Sequence, residues 1–240
     1  MTGLLFRREP YLREAAAVVT AHTPEGGVVL DRSLFYATGG GQPGDSGTLT
    51  WESHALPIAT TIKGDGDDIV LVPAEPAPLP PVGTELMQVL DWERRHHHMR
   101  VHTALHLLSV VIPLPVTGGS IGTDKGRLDF DMPEALSDKE ALTAKLNEMI
   151  ARDLPVTEGW ITDAELAANP SLVKTMSVQP PKGTGRLRLI GIGAGEAQID
   201  LQPCGGTHVV STGEIGPVRI GKVQNKGAQN RRVYLHLDGS

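Results

Sequence analysis

Five prolines, Pro73, Pro76, Pro78, Pro80 and Pro81, crowd one short stretch of the chain. Each fixes φ and withdraws a backbone N–H, so regular structure has to stop before Pro73 and resume after Pro81. The stretch is expected to be a linker. Upstream of it, short runs rich in Val, Leu and Tyr alternate with Gly and Pro, the punctuation of β-structure. Strands are expected at Ala15 to Ala21, Gly27 to Asp31, Gly47 to Trp51 and Asp68 to Val72. Between the second and third lies Thr38-Gly39-Gly40-Gly41-Gln42-Pro43-Gly44-Asp45, too glycine-rich for a helix or a central strand. Its backbone is expected to pass close to something.

Downstream, Glu85 to Leu90 reads as a strand, and Asp91 to Ile112 as one helix in which Val101, Leu105, Leu108 and Ile112 recur at three- and four-residue steps. Pro113 and Pro115 end it. A second helix, Ser137 to Arg152, opens with Ser137 as N-cap and Glu140 three residues on, the capping-box pattern, and turns Leu142, Leu146 and Met149 towards a sheet. Further strands are expected at Arg127 to Asp131, Arg186 to Ile192, Gln198 to Leu201, Val218 to Val223 and Arg232 to Leu237. Strands that mix with two main helices without strict alternation define an α+β class.

The 240 residues are 40% hydrophobic and 21% charged, which supports a packed core and excludes a disordered chain. The most apolar stretch, Thr103 to Ile112, contains His106 and falls well short of the roughly 20 residues of a membrane span. Arg7, Arg8 and Glu9 arrive too early for a secretory signal, so no membrane partner and a cytoplasmic location are expected. The net charge of −6 argues against indiscriminate nucleic-acid binding. Even so, Ile215 to Leu237 holds no acid beside Arg219, Lys222, Lys226, Arg231 and Arg232, and Arg94, Arg95 and Arg100 lead into the long helix. These cations suit either a path for phosphates or a solvated strand face. His96, His97 and His98 are expected on the exposed start of that helix, where adjacent residues cannot share one face to hold a metal.

A single cysteine, Cys204, excludes an intrachain disulfide and leaves packing, metal binding or nucleophilic chemistry. Two groups of residues bear on the choice. In His102-Thr103-Ala104-Leu105-His106, a spacing of four puts both imidazoles on one helix face, about 6 Å apart along the axis. Zinc proteases carry HExxH with the Glu as base; here Thr103 stands in that place and the reading fails. In Cys204-Gly205-Gly206-Thr207-His208, a thiolate and an imidazole meet in a glycine-bent turn. Together His102, His106, Cys204 and His208 form a His3Cys set with the softness and count expected of tetrahedral Zn2+.

The strings RVHTALHLL (Arg100 to Leu108), CGGTHV (Cys204 to Val209), TGEIG (Thr212 to Gly216) and NRRV (Asn230 to Val233) resemble the editing domain of alanyl-tRNA synthetase. The loop TGGGQPGDSG (Thr38 to Gly47) resembles that of the synthetase and of the freestanding AlaX-type editing proteins. The similarity runs from about Tyr11 to about Leu237. Loop, HTALH, CGGTH and NRR in that order are specific, whereas HxxxH alone is weak. With no adenylation segment before it and no long extension after it, the chain resembles the medium-length form, which hydrolyses mischarged Ser-tRNA(Ala) or Gly-tRNA(Ala) in trans. The resemblance implies a small N-terminal β-barrel-like domain over residues 1–90, followed at 91–240 by a two-layer α/β editing domain with a mainly antiparallel sheet. It also implies a partner, the acceptor end of mischarged tRNA(Ala), and no nucleotide cofactor.

Deacylation breaks an ester, so the site needs a positioned water and donors for the developing oxyanion. Four protein ligands would close the zinc sphere and make the ion a positioning element; if His208 left it, a place for water would open. In the family a threonine after the HxxxH helix recognises the serine hydroxyl. The matching segment, Val116 to Ser120, makes Thr117 the candidate and Ser120 the reserve. Gly39, Gly40 and Gly41 are expected to bring backbone N–H groups to the aminoacyl end, with Gln42 (with Thr117, a candidate catalytic residue) and Asp45 orienting polar atoms; the same loop could instead be a tight turn joining the domains. Arg231 and Arg232 are the candidates for the acceptor stem. Two other readings compete: a non-catalytic zinc-stabilised RNA- or protein-binding module, and a deacylase of another mischarged tRNA such as Ser-tRNA(Thr).

Overall fold

In a computed structural model, which describes residues 2–134, 136, 138–175 and 185–238, the chain forms two compact units, Met1–His96 and His97–Ser240. The first unit contains β1 (Gly3–Leu4), α1 (Leu5–Arg8), β2 (Glu14–His22), β3 (Val28–Leu30), β4 (Arg32–Ser33), β5 (Gly47–Trp51), β6 (His54–Lys63), β7 (Ile69–Pro73) and β8 (Glu85–Leu90). Six of these close into a barrel in the order β2-β3-β7-β6-β5-β8, with every pairing antiparallel. Alternation fills it: Leu49, Leu56, Ile58, Leu71 and Leu86 point inward and meet Leu30, Leu34 and Phe35 in one buried cluster.

The proline stretch does not separate the two units. It connects β7 to β8, and β8 returns to the barrel to pair with both β2 and β5, so the linker expected there is an internal loop. Ala74 N–H donates to Pro57 O, Gly83 N–H to Val19 O, and the His22 ring meets Pro80 O at 2.9 Å. The glycine-rich loop likewise lies within the barrel unit, between β4 and β5, and joins no domains. Its expected close approach is to β6. A Cβ on Gly44 would fall 2.0 Å from Thr61 O, while Thr38 donates from both its N–H and its hydroxyl to that same carbonyl.

Helix α2 (Trp92–Val111) runs from the first unit into the second. From Val101 to Ser109 every residue is buried, polar ones included. His98 is buried too, against the expectation of an exposed His96-His97-His98 start; His96 and His97 are half-buried. The second unit continues with β9 (Val116–Ile121), β10 (Lys125–Asp131), α3 (Lys139–Ala151), β11 (Val156–Thr162), α4 (Asp163–Ala168), β12 (Arg186–Ile192), β13 (Asp200–Pro203), β14 (Val218–Asn225) and β15 (Asn230–Leu237). These strands make two antiparallel sheets, β14-β15-β10-β9 and β11-β12-β13. The protein is therefore mixed α/β with mostly antiparallel sheets and one closed barrel.

Ser137, expected to cap α3, lies outside the described residues. The cap observed is Asp138, whose side chain accepts from Ala141 N–H at 2.8 Å, one residue later than expected. The helix does meet a sheet, because Asn147 exchanges two hydrogen bonds with the backbone of Val218 and Thr143 Oγ1 accepts from Ile220 N–H. Among the described residues five strands had no counterpart in the expectations: the two-residue β1 and β4, and the longer β6, β9 and β11.

Candidate metal centre

The helix and the glycine turn bring His102, His106, Cys204 and His208 together, with one ligand atom from each within 4.8 Å of the others. Cys204 Sγ lies 3.5 Å from His102 Nε2 and 3.3 Å from His208 Nε2. Bond lengths of about 2.3 Å to sulfur and 2.0–2.1 Å to nitrogen at tetrahedral angles put N and S about 3.5 Å apart. The donor set fits zinc in kind and number, and the two sulfur–nitrogen separations match that spacing.

Two ligands are held by groups behind them. His106 turns Nδ1 towards Asp200 Oδ2 at 3.0 Å, leaving Nε2 for the centre. Asp200 in turn accepts from Lys174 Nζ at 2.5 Å and from Gln202 Nε2 at 2.8 Å. On the other side, the Thr103 hydroxyl donates to Met99 O at 2.9 Å, so its oxygen accepts from His208 Nδ1 at 3.1 Å. That contact fixes the tautomer with a lone pair on His208 Nε2. Thr103, the residue that rules out a protease base, thus positions the fourth ligand.

Neither Gly205 nor Gly206 adopts the positive φ that the expected glycine bend implies. Arg188 shapes the turn instead, donating to Cys204 O at 3.2 Å and Gly206 O at 2.7 Å while its other side pairs with Glu158. Asp200, Lys174 and Arg188 had no recognised signature in the sequence, and Thr103, beside His102, was read only as the missing protease base. The acid at Asp200, four residues before Cys204, was the nearest to a usable signal.

The electrostatics match this arrangement. Burial disfavours the Cys204 thiolate, yet the charges of His102 and His208 hold the thiol well below its ordinary range. Burial resists ionisation of Asp200 as well, and His106 with Lys174 overcomes it, bringing the carboxyl down to about 2. His208 is pushed down to about 3, chiefly by burial. His106 is held up at about 9, because its hydrogen bonds to Asp200 and Cys204 outweigh burial. A metal entering the cluster displaces that proton, and the lowered thiol eases the deprotonation that binding through sulfur requires.

The other expected site residues lie as follows. Thr117 is in a strand where a loop was expected. Gly118 opposes Asp129 and Val116 opposes Phe130, so Thr117 is the extra residue of a β-bulge, a device that re-aims a side chain. Its hydroxyl donates to Asp129 O at 3.1 Å and accepts from Asn230 Nδ2 at 2.7 Å. Ser120 is exposed opposite Arg127. In the barrel loop, Gly39 and Gln42 exchange backbone hydrogen bonds around Gly40 and Gly41, whose φ of 57° and 83° makes the mirror-image turn glycine favours. Gly40 and Gly41 are exposed and Gln42 is buried. Asp45 is buried against Arg95, which corrects the placement of Arg95 on a phosphate path: a guanidinium this enclosed meets no backbone phosphate. Arg94 donates to Gly44 O and Arg100 to Ile215 O. Arg231 donates to Asn225 Oδ1, Gly227 O and Pro133 O, and Arg232 forms a two-pronged pair with Asp129 at 2.8 and 2.9 Å.

Comparison with known proteins places the chain in a family. Residues 187–234 match the family described as the threonyl and alanyl tRNA synthetase second additional domain, and residues 11–94 match the class II (A) tRNA synthetases. The chain is 36% identical to the alanyl-tRNA editing protein AlaX-M of Methanosarcina acetivorans over 99% of both chains, and 30% identical to that of Saccharolobus solfataricus over 98% of both. It is 34% identical to an alanine–tRNA ligase of Korarchaeum cryptofilum over 91% of this chain and 24% of the ligase. The chain belongs to the AlaX-M family of alanyl-tRNA editing proteins.

Proposed function

We propose that the protein is a trans-editing deacylase that hydrolyses the ester of mischarged Ser-tRNA(Ala) and Gly-tRNA(Ala), binding the acceptor end of the tRNA in the cytoplasm with zinc at His102, His106, Cys204 and His208. The observation that carries this reading is the convergence of three imidazoles and one thiolate, two of the imidazoles held from behind, in a chain of this family. No helix among the described residues is long and apolar enough to cross a membrane.

Bound zinc supplies a fixed positive charge that orients the aminoacyl end and favours the oxyanion. Using four protein donors favours that positioning role. Selection falls to Thr117. Hydrogen bonds to Asp129 O and from Asn230 Nδ2 fix the orientation of its hydroxyl, a polar group that a serine hydroxyl can pair with and an alanine methyl cannot. The bulge at Thr117 favours it over Ser120, whose side chain is exposed opposite Arg127. In the barrel unit, the exposed Gly40 and Gly41 of the glycine turn offer their N–H groups, which have no backbone partner among the described residues, as contacts for the tRNA 3′ end. Gln42 and Asp45 shape that turn from beneath. Arg231 and Arg232 retain partly exposed edges for the acceptor stem.

The direct test is deacylation of Ser-tRNA(Ala), Gly-tRNA(Ala), Ser-tRNA(Thr) and Ala-tRNA(Ala), with and without chelator. Release of serine and glycine from tRNA(Ala) alone, abolished by chelation, is expected. No release from any substrate would leave a zinc-stabilised binding module, and equal release from Ser-tRNA(Thr) would widen the substrate class. A second expectation concerns Thr117→Val, which keeps the shape and deletes the hydroxyl. One lost hydrogen bond of about 1–3 kcal/mol should reduce the preference for serine over alanine by about tenfold to a hundredfold. Unchanged discrimination would transfer the role to Ser120.

A further inference from the structure

A lysine outside the ligand set links the metal cluster to the strand that carries Thr117. Lys174 Nζ reaches Asp200 Oδ1 at 2.5 Å, and the other oxygen of that carboxylate holds His106 Nδ1 at 3.0 Å. The Lys174 backbone carbonyl accepts from Val116 N–H at 2.9 Å, and the next residue, Thr175, forms a parallel bridge with Val116. Val116 is the residue before the bulge at Thr117. The path from imidazole to bulge therefore takes one carboxylate, one ammonium and one backbone hydrogen bond.

The chemistry of each link suits that use. Asp200 is fully enclosed, and a buried carboxylate on a ligand imidazole needs a second cation or donor to stay ionised in that position. Lys174 provides it while its stem remains about a quarter exposed, so the ammonium is drawn inward to Asp200 rather than outward to water. Gln202 Nε2 donates to the same carboxylate at 2.8 Å and Ser109 Oγ lies 3.5 Å from the ammonium, so removing the lysine takes from Asp200 its ammonium partner. On the strand side, β9 contains two consecutive glycines and pairs along one edge with β10; its other edge is met at Val116 by the segment bearing Lys174.

We propose that Lys174 is a positioning residue that, through Asp200, fixes His106 for the metal and, through its backbone, anchors the start of β9, so that metal binding and the placement of Thr117 are coupled. The inference rests on the metal reading of the cluster. Each end of the connection has its own readout, and neither requires catalysis.

The experiment measures zinc affinity by chelator competition, together with amide hydrogen exchange over residues 116–121, in wild type, Lys174→Met and Lys174→Arg. Methionine keeps the length and apolar stem, and arginine keeps the cation. Lys174→Met should weaken zinc by about tenfold to a hundredfold, the usual effect of losing a group behind a ligand, with Lys174→Arg recovering most of the loss. Exchange across 116–121 should accelerate in Lys174→Met and also in wild type stripped of metal, a comparison that needs no variant to fold. Zinc affinity in Lys174→Met within about threefold of wild type overturns the proposal, as does exchange in β9 that ignores metal removal. A wild-type protein that binds no zinc would instead sink the metal reading itself.

Discussion

Cys204→Ala should purify with almost no zinc and without deacylase activity. Apparent binding free energies of four-ligand structural zinc sites run to about 10–16 kcal/mol, so a one-quarter share is roughly 3 kcal/mol, more than a hundredfold in affinity. The true loss should exceed that share, because Cys204 brings the only thiolate and its charge lies within 3.5 Å of two ligand nitrogens. With the sulfur gone, three imidazoles face one another and the metal has to bind without an anionic ligand to help. Elemental analysis of wild type and variant, read beside single-turnover deacylation of Ser-tRNA(Ala), checks both parts. Full zinc occupancy in Cys204→Ala would remove the residue from the ligand set. Retained activity at negligible zinc would show that the ion is dispensable for the reaction.

The ligands were legible in the sequence because each of their constraints is local. A spacing of four places His102 and His106 on one helix face, and a turn joins Cys204 to His208. What holds them was not legible, because it is chosen by tertiary contacts: Asp200 and Lys174 lie on different segments, and nothing in their own neighbourhoods marks them as partners of His106. The same division runs through the fold. Strands β5, β8 and β12 begin and end where the sequence places them, since each interleaves polar with apolar residues in the strand period. The longer missed strands break a local rule and are rescued by their neighbours. Pro57 sits in β6 with its ring facing away from the buried Leu56 and Ile58, and Gly118 and Gly119 weaken β9, which β10 pairs along its length. Glu158 and Gly159 interrupt β11, which is nonetheless paired with β12 at every position from Val156 to Thr162.

Arg94 and Arg95 show the limit most directly, being neighbours of identical type with different fates, and the second carries the largest expected effect on stability. Arg95 and Asp45 are both 1% exposed; the guanidinium binds Asp45 Oδ2 twice and also donates to Leu34 O at 2.7 Å and Pro10 O at 3.2 Å. Asp45 Oδ2 further accepts from Tyr36 N–H at 2.6 Å. Arg95→Met removes the cation and leaves a buried carboxylate with no compensating charge, which costs about 3–5 kcal/mol. In a unit of this size each kcal/mol moves the midpoint by about 4–8 °C, so the first thermal transition of the full-length chain should fall by more than 10 °C, followed by circular dichroism or calorimetry. The double variant Asp45→Asn with Arg95→Met should recover a substantial part of the loss, because it deletes the stranded charge as well. If the single variant melted within about 2 °C of wild type, the pair would contribute little beyond filling space. The same cycle separates two uses of Asp45. A carboxylate working on the substrate would lose activity at unchanged stability when made Asn, whereas one that holds the glycine turn in place through Arg95 should lose stability first, and lose less of it when the arginine is already gone.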